Sequence, residues 1–254
     1  MLYIVTHKKV DVSLKPGMAL IQAGAAAHAA LPYISDSTGD NISAKNPSYC
    51  ELTALYWIWK NTTDDFKGLA HYRRFFGRCE LSASMSSCYS EEELKSMLTD
   101  ADIVLPNIEY MLENAREQLC MGSCRPEVFS KMREIIEAAH PDYMPAFDHV
   151  FSSNRLTLFN MMYSRRELFD SYCEWLFPIL FELEKHVDMT GYTAYEKRLY
   201  GFLSERLLNV WVMKNNLRAV HTAVVQTEMP LIEKLRLLRR RQTNRLRFWL
   251  RTKR

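Results

Sequence analysis

Four consecutive residues, His71-Tyr72-Arg73-Arg74, follow the apolar stretch Gly68-Leu69-Ala70. A strand that ends by presenting an imidazole, a phenol and two guanidinium groups needs anionic or aromatic partners for them. Arginine grips phosphate oxygens two at a time, so the cluster suits a phosphate-bearing ligand. Alternation along a strand would send His71 and Arg73 to one face and Tyr72 and Arg74 to the other. One arginine is therefore expected at a ligand and the other in a structural ion pair. The alternative is a strand whose ion pairs are all structural.

A second group, Asp40-Asn41-Ile42-Ser43-Ala44-Lys45-Asn46, is dense in short hydrogen-bonding side chains and leads into a helix N-terminus, where anions are favoured. The same residues also serve ordinary turn and cap chemistry. One D-x-D occurs, Asp100-Ala101-Asp102. Such a pair can bridge a divalent cation to a diphosphate. Here it precedes the apolar run Ile103-Val104-Leu105 instead of following it, so it reads as turn chemistry. No dinucleotide fingerprint, P-loop, zinc-protease or nucleophile-elbow motif is present. The six cysteines form no C-x-x-C pair and read as reduced and structural.

Short apolar runs and amphipathic stretches alternate around these groups. Leu2 to Thr6, Ala19 to Ala23, Phe66 to Phe76, Asp102 to Pro106, Leu158 to Tyr163 and residues 219 to 227 read as strands. Residues 48 to 61, 91 to 98, 125 to 140, 166 to 185 and 194 to 214 read as helices. Ser48 with Glu51 has capping-box spacing, and Ser90-Glu91-Glu92-Glu93 caps the short helix that runs to Leu98. The alternation predicts an α/β fold with a largely parallel sheet. The 254 residues suit one large domain, residues 1–230, with an extension over 231–254.

Charge separates the same two parts. From Leu231 to Arg254 ten Lys/Arg stand against one Glu, a charge of +9; the rest has 23 Lys/Arg and 29 Asp/Glu, a charge of −6. Leu231, Leu235, Leu238, Leu246 and Trp249 recur at helical steps, with Gln242 in the gap, and Ile232, Phe248 and Leu250 widen the stripe. Arg236, Arg239, Arg240, Arg247 and Arg251 lie largely off it. That pattern predicts an amphipathic helix lying on an anionic membrane surface. A helix packed on its own domain, or a frayed basic tail, would share the composition. Nucleic acid is not expected as a partner, because the body is acidic and carries no binding motif. The N-terminus lacks signal-peptide order and no apolar run approaches a membrane span of about 20 residues, so a cytoplasmic location is expected.

Three blocks, Asp40 to Asn46, Tyr49 to Asn61 and Gly68 to Phe76, resemble the domain-of-unknown-function family 4422, whose members are glycosyltransferases of capsular, exopolysaccharide and O-antigen synthesis. The resemblance continues through Asp102 to Pro106, Asn160-Met161, Tyr172 to Phe177 and Gly201 to Leu207, and so covers about residues 1 to 225. It implies a GT-A-like nucleotide-binding sheet flanked by helices, with a nucleotide-sugar donor, UDP-linked for preference, at the carboxyl edge of the strands. A hexose would pass to a polyprenyl-diphosphate-linked glycan at the inner face of the cell membrane. His71, Tyr72, Arg73 and Arg74 then stand where many such enzymes carry a metal-binding D-x-D. Arginine charge would take over some or all of the metal's work, leaving a manganese or magnesium requirement open. The resemblance assigns Thr6 and His7 to the base or ribose, Asn41, Ser43 and Asn46 to the same pocket, and Asn160 to the sugar hydroxyls. Glu205 and Asp188 are the candidates for general base, with a structural salt bridge to Arg206 as the other reading of Glu205. A non-catalytic nucleotide- or carbohydrate-binding module is the alternative function, with a nucleic-acid-binding protein using the basic tail behind it.

Overall fold

The computed structural model describes residues 1–252, and side chains up to Leu250. Arg251's side chain and residues 253 and 254 of the basic tail therefore lie outside what is described. Strand β1 (Leu2–Thr6) is buried at every position. Tyr3 and Val5 enter a large core on one face of the sheet, Leu2 and Ile4 a smaller core on the other. Burial on both faces is why the run LYIVT has no polar alternation.

β2 (Met18–Gln22) pairs parallel with β1, and β3 (Ile34–Ser35) parallel with β2. β4 (Phe66–His71) pairs parallel with β1 on its other side, then turns through Tyr72-Arg73 into β5 (Arg74–Gly77). β6 (Ile103–Pro106) follows, and β7 (Glu109–Tyr110) with β8 (Arg155–Leu156) makes a separate two-stranded ribbon. β9 (Met162–Arg165) runs antiparallel between β4 and β6; β10 (Ala219–Gln226) is parallel to β6 and antiparallel to β5. The eight-stranded sheet is thus mixed, not largely parallel. Its parallel half, β3-β2-β1-β4, brings the carboxyl ends of β1, β2 and β4 to one edge, with Thr6 beside Gln22 and Val5 beside His71.

Helices α1 (Asn46–Tyr49) and α2 (Leu52–Asn61) connect β3 to β4. The single helix expected over 48–61 is broken because Cys50 takes a positive φ of 52°. Ser48 does not cap it; its hydroxyl donates to the Lys45 carbonyl at 3.3 Å. α3 (Glu91–Met97) begins on the Ser90–Glu93 capping box. α4 (Ala115–Gly122) begins on a second box, Asn114 with Glu117, that the sequence reading missed. α5 (Pro126–Ala139), α6 (Met144–Ser152), α7 (Arg166–Glu184) and α8 (Leu199–Lys214) cover the large core. The strand expected over 158–163 starts only at Met162, because Phe159 and Asn160 both take positive φ, 79° and 51°.

α9 (Leu231–Thr252) lies on the body by a polar face. Lys234 is 3% exposed and donates to the Ser82 carbonyl. Arg241 bridges Glu80 and Glu109, its Nε 2.9 Å from Glu109. Asn244 donates to the Tyr110 carbonyl at 2.9 Å. Leu238 and Phe248, read in sequence as part of the apolar stripe, are half-buried on this inner side. Leu231, Ile232, Leu235, Leu246 and Leu250 face away from the body, 46–58% exposed. Among the described residues no helix is long and apolar enough to cross a membrane. All six cysteines are free thiols.

β9 approaches β4 so closely that a methyl group on Gly68 would lie 2.6 Å from the Met162 carbonyl and 2.5 Å from the Tyr163 ring. Gly68→Ala is expected to destabilise the fold by about 1–3 kcal/mol, the usual cost of overpacking. Urea denaturation measures it, and an unchanged midpoint would show that this strand crossing is looser than described.

Candidate active site

A cleft of about 660 Å³ opens at the carboxyl edge of the parallel strands. Thr6 and His7 enter it from the end of β1, Asn46 from α1, and His71, Tyr72, Arg73 and Arg74 from the β4–β5 turn. Gln118 of α4, Arg198, Glu205 and Arg206 of the α8 segment, and Phe159 complete its lining. The expected alternation of faces does not apply to the arginines, because a tight turn replaces a continuous strand. His71 and Arg74 pair across that turn, and all four residues line the cleft. Neither Arg73 nor Arg74 forms an ion pair among the described residues, so the expected structural salt bridge is absent. Arg74 stacks on the Phe159 ring at 4.6 Å and Arg73 on the Tyr72 ring at 5.6 Å.

Arg74 carries an Nε–H that is buried and has no acceptor. Arg206, only 3% exposed, has a second orphan Nε–H, although its Nη1 reaches Glu205 at 2.7 Å and the Phe202 carbonyl at 3.0 Å. A buried donor without a partner costs about 1–3 kcal/mol. Four arginines against two glutamates, Glu51 and Glu205, leave the cleft cationic even with both acids ionised. An anionic ligand would satisfy both donors and the excess charge.

The histidines are uncharged partners. Burial lowers the His71 pKa to about 4. Its Nε2 lies 2.6 Å from the Phe159 carbonyl, and since a carbonyl only accepts, Nε2 carries the proton. His7 is lowered first by burial and then by Lys8 and Arg73; its ring meets Tyr72 edge-on at 5.6 Å. Thr6 spends its hydroxyl on the Lys8 backbone, donating at 2.7 Å and accepting at 3.2 Å. It therefore shapes the exit of β1 more than it offers a contact.

Several residues singled out in the sequence have other positions. Asn41 and Ser43 are not among the cleft-lining residues. Asn41 donates to the Ser37 and Gly39 carbonyls, and Ser43 is buried, donating to Asp36 at 2.5 Å and accepting from Ala26 N. Asp188 is exposed away from the cleft, its carboxylate turned onto the Thr190 amide at 2.8 Å. Asn160 is 4% exposed with its amide fully committed: Nδ2 donates to Glu51 at 2.6 Å and to the Gly201 carbonyl at 2.9 Å, and Oδ1 accepts from Ser204. Buried and outside the cleft lining, it meets Glu51 instead of being presented to a ligand. Asp102 pairs with Arg218, Nη2 to Oδ1 at 2.9 Å, and neither acid of the D-x-D lines the cleft.

The sequence reading missed Glu51, taken for a capping residue, and the wall formed by Arg198, Gln118 and Phe159. Burial raises the Glu51 pKa against the pull of Asn160, Arg198 and Arg74. Glu205 is also raised, by burial first and by Glu51, while Arg206 pulls it down. The residues fit a bound divalent cation poorly. The cleft carboxylates already accept from Asn160, Arg206 and the Phe159 amide. No trio of His, Cys, Asp or Glu side chains among the described residues is grouped to hold a metal ion.

Asn160→Ala removes three hydrogen bonds and leaves Glu51 without its donor. A loss of at least about 2 kcal/mol of unfolding free energy is expected, measured by urea denaturation; a change below about 0.5 kcal/mol would mean the amide is not engaged as described.

The chain is similar to the apo structure of the WbbM bifunctional glycosyltransferase, with 28% identity and a TM-score of 0.78 over 90% of this chain and 45% of that one. It thus spans a little under half the length of that protein. No curated protein matches it. The family described as Domain of unknown function (DUF4422) matches residues 1–216, which contain every cleft residue named above. The chain belongs to the DUF4422 family.

Proposed function

We propose that this chain is a glycosyltransferase of surface-polysaccharide synthesis that takes a hexose from a nucleotide sugar, preferably a UDP-sugar, in a GT-A-like cleft. The observation that carries the reading is the pair of orphan guanidinium donors, on Arg74 and Arg206, in a cationic cleft at the carboxyl edge of the strands. Ligands of open α/β sheets bind at that edge. Likeness to WbbM over nearly the whole chain supports the reaction class.

In this reading the base and ribose lie toward His7, Tyr72 and Asn46, and the diphosphate against Arg73 and Arg74. The sugar reaches toward Glu51 and Glu205. Departure of a nucleoside diphosphate places negative charge on its terminal phosphate, and fixed guanidinium charge in a poorly hydrated cleft stabilises it. We take this charge to stand in for a metal ion. The acceptor is a glycan on a polyprenyl diphosphate, at the inner face of the cell membrane. The outward apolar face of α9, flanked by Arg236, Arg240 and Arg247, supports such a location, because the arginines can reach lipid phosphates while the leucines enter the acyl region.

Two measurements test this. Arg74→Ala and Arg73→Ala should each weaken UDP binding by about 1.5–3 kcal/mol, roughly ten- to hundredfold in Kd, in calorimetric titrations with EDTA present. Unchanged affinity would remove the arginines from the site, and UDP binding only after manganese is added would overturn the charge replacement. For α9, Leu235→Gln, Leu246→Gln and Leu250→Gln together should lower cosedimentation with phosphatidylglycerol vesicles at least about tenfold and leave the melting temperature unchanged. The polar clamp under the helix is untouched by these changes, whereas deleting 231–254 would strip Glu80 and Glu109 of Arg241. Undiminished cosedimentation would refute the membrane assignment.

A further inference from the structure

Four non-glycine residues have positive φ: Cys50, Phe159, Asn160 and Asn216. Such conformations cost about 1–3 kcal/mol each and collect at functional sites. Three of the four lie at the two cleft carboxylates, Cys50 and Asn160 at Glu51 and Phe159 at Glu205. Cys50 sits between α1 and α2, and its turn brings Glu51 to the cleft instead of into a continuous helix. Asn160 donates to Glu51 Oε1 at 2.6 Å and is itself locked by Gly201 and Ser204. Phe159 donates its amide to Glu205 Oε1 at 3.0 Å.

The two cleft glutamates are not equivalent. Both oxygens of Glu205 are engaged, Oε1 by the Phe159 amide and Oε2 by Arg206 at 2.7 Å. Glu51 accepts from Asn160 through Oε1 and meets its own backbone N–H, and no other residue among those described donates to Oε2. One carboxylate is tied down, and the other is held at one oxygen with its second oxygen available in the cleft.

We propose that Glu51 is the general base of the transfer step, removing the proton of the acceptor hydroxyl. The assignment rests on the glycosyltransferase reading above. As the acceptor oxygen bonds to the anomeric carbon, its proton passes to Glu51 Oε2. The bond from that carbon to the diphosphate breaks with its electron pair going to the departing phosphate, whose charge Arg73 and Arg74 meet. The proton then leaves Glu51 for solvent. Glu205 is a positioning residue that holds Phe159 and Arg206.

Arg198, Arg74, Glu205, Cys50 and, from α7, Tyr172 are the charged and titratable groups that face Glu51. Burial raises the pKa of Glu51, and the base works only when ionised. Turnover must therefore fall as pH drops through that raised value, giving an acid limb at higher pH than a free glutamate would show.

The experiment follows release of nucleotide from UDP-, GDP- and dTDP-hexoses, with water as acceptor, across pH, beside calorimetric binding of UDP. Glu51→Gln should lower kcat by about 10²–10⁴-fold, abolish the acid limb, and bind UDP within about threefold of the parent. Glu205→Gln should keep the acid limb whatever its rate. Glu51→Asp, with the same charge on a shorter arm, should recover part of the rate and confirm that a carboxylate is needed. Loss of the acid limb in Glu205→Gln, or its survival in Glu51→Gln, overturns the assignment. Should the parent chain release nucleotide from none of these donors, both the transferase reading and the base fall; release by the parent with full activity in Glu51→Gln removes only the base.

Discussion

A guanidinium group removed from water must find acceptors for its donors, and here the protein leaves that demand partly unmet. Arg206 is nearly inaccessible yet keeps an unbonded Nε–H, and Arg74, stacked on Phe159, keeps another. A fold optimised only for stability would pair these donors or replace them with apolar groups, which is often neutral or favourable. Neither Nε–H meets an internal acceptor, and His71, held neutral, adds no further positive charge beside them. The remaining features of the site follow from keeping this cationic space open. The β4–β5 turn faces both arginines inward, the Phe159 ring supports one of them, and the Phe159 carbonyl fixes the tautomer of the adjacent imidazole.

That support is built from strained backbone. Phe159 and Asn160 end the chain's approach to β9 in left-handed conformations, so neither can belong to the strand their composition suggests. In return the Phe159 amide reaches Glu205, its carbonyl reaches His71, its ring lies beneath Arg74, and the next side chain reaches Glu51. One dipeptide thereby ties β4, α2 and α8 to a common point. The surrounding core holds it there: Tyr163, Tyr172 and Tyr200 are almost fully buried, and close packing resists relaxation of the turn.

This arrangement also marks the limit of what the sequence discloses. Strands β1 and β6 were legible because two-sided burial demands unbroken apolar runs, and α3 because its cap is local. The cationic turn was legible too, since four such residues after an apolar stretch have few structural uses. Glu51, Asn160 and Ser204 were not legible, because their bonds span 109 and 44 positions and no local pattern encodes them. Glu51 was read as a capping residue on spacing alone, and the positive φ of Cys50 that breaks the helix has no signature in its residue type. Asp188 failed for a related reason: a carboxylate in the polar connection between α7 and α8 could not be told apart from one turned onto its own loop.

α9 shows a different ambiguity. Periodicity reveals that a helix has an apolar stripe, and the usual inference sets that stripe against the protein. Here Lys234, Arg241 and Asn244 face the body, and the inner side takes only Leu237, Leu238 and Phe248 from the apolar set. Arg241 meets two carboxylates, so the contact is satisfied without burying the outer leucines. A helix that merely completed the fold would gain about 25 cal/mol per Å² by turning its leucines inward. Holding them outward, beside Arg236, Arg240 and Arg247, is the feature on which the proposed membrane-surface location rests. The clamp is ionic and local, so it ties α9 to Glu80 and Glu109 without drawing on the outward leucines.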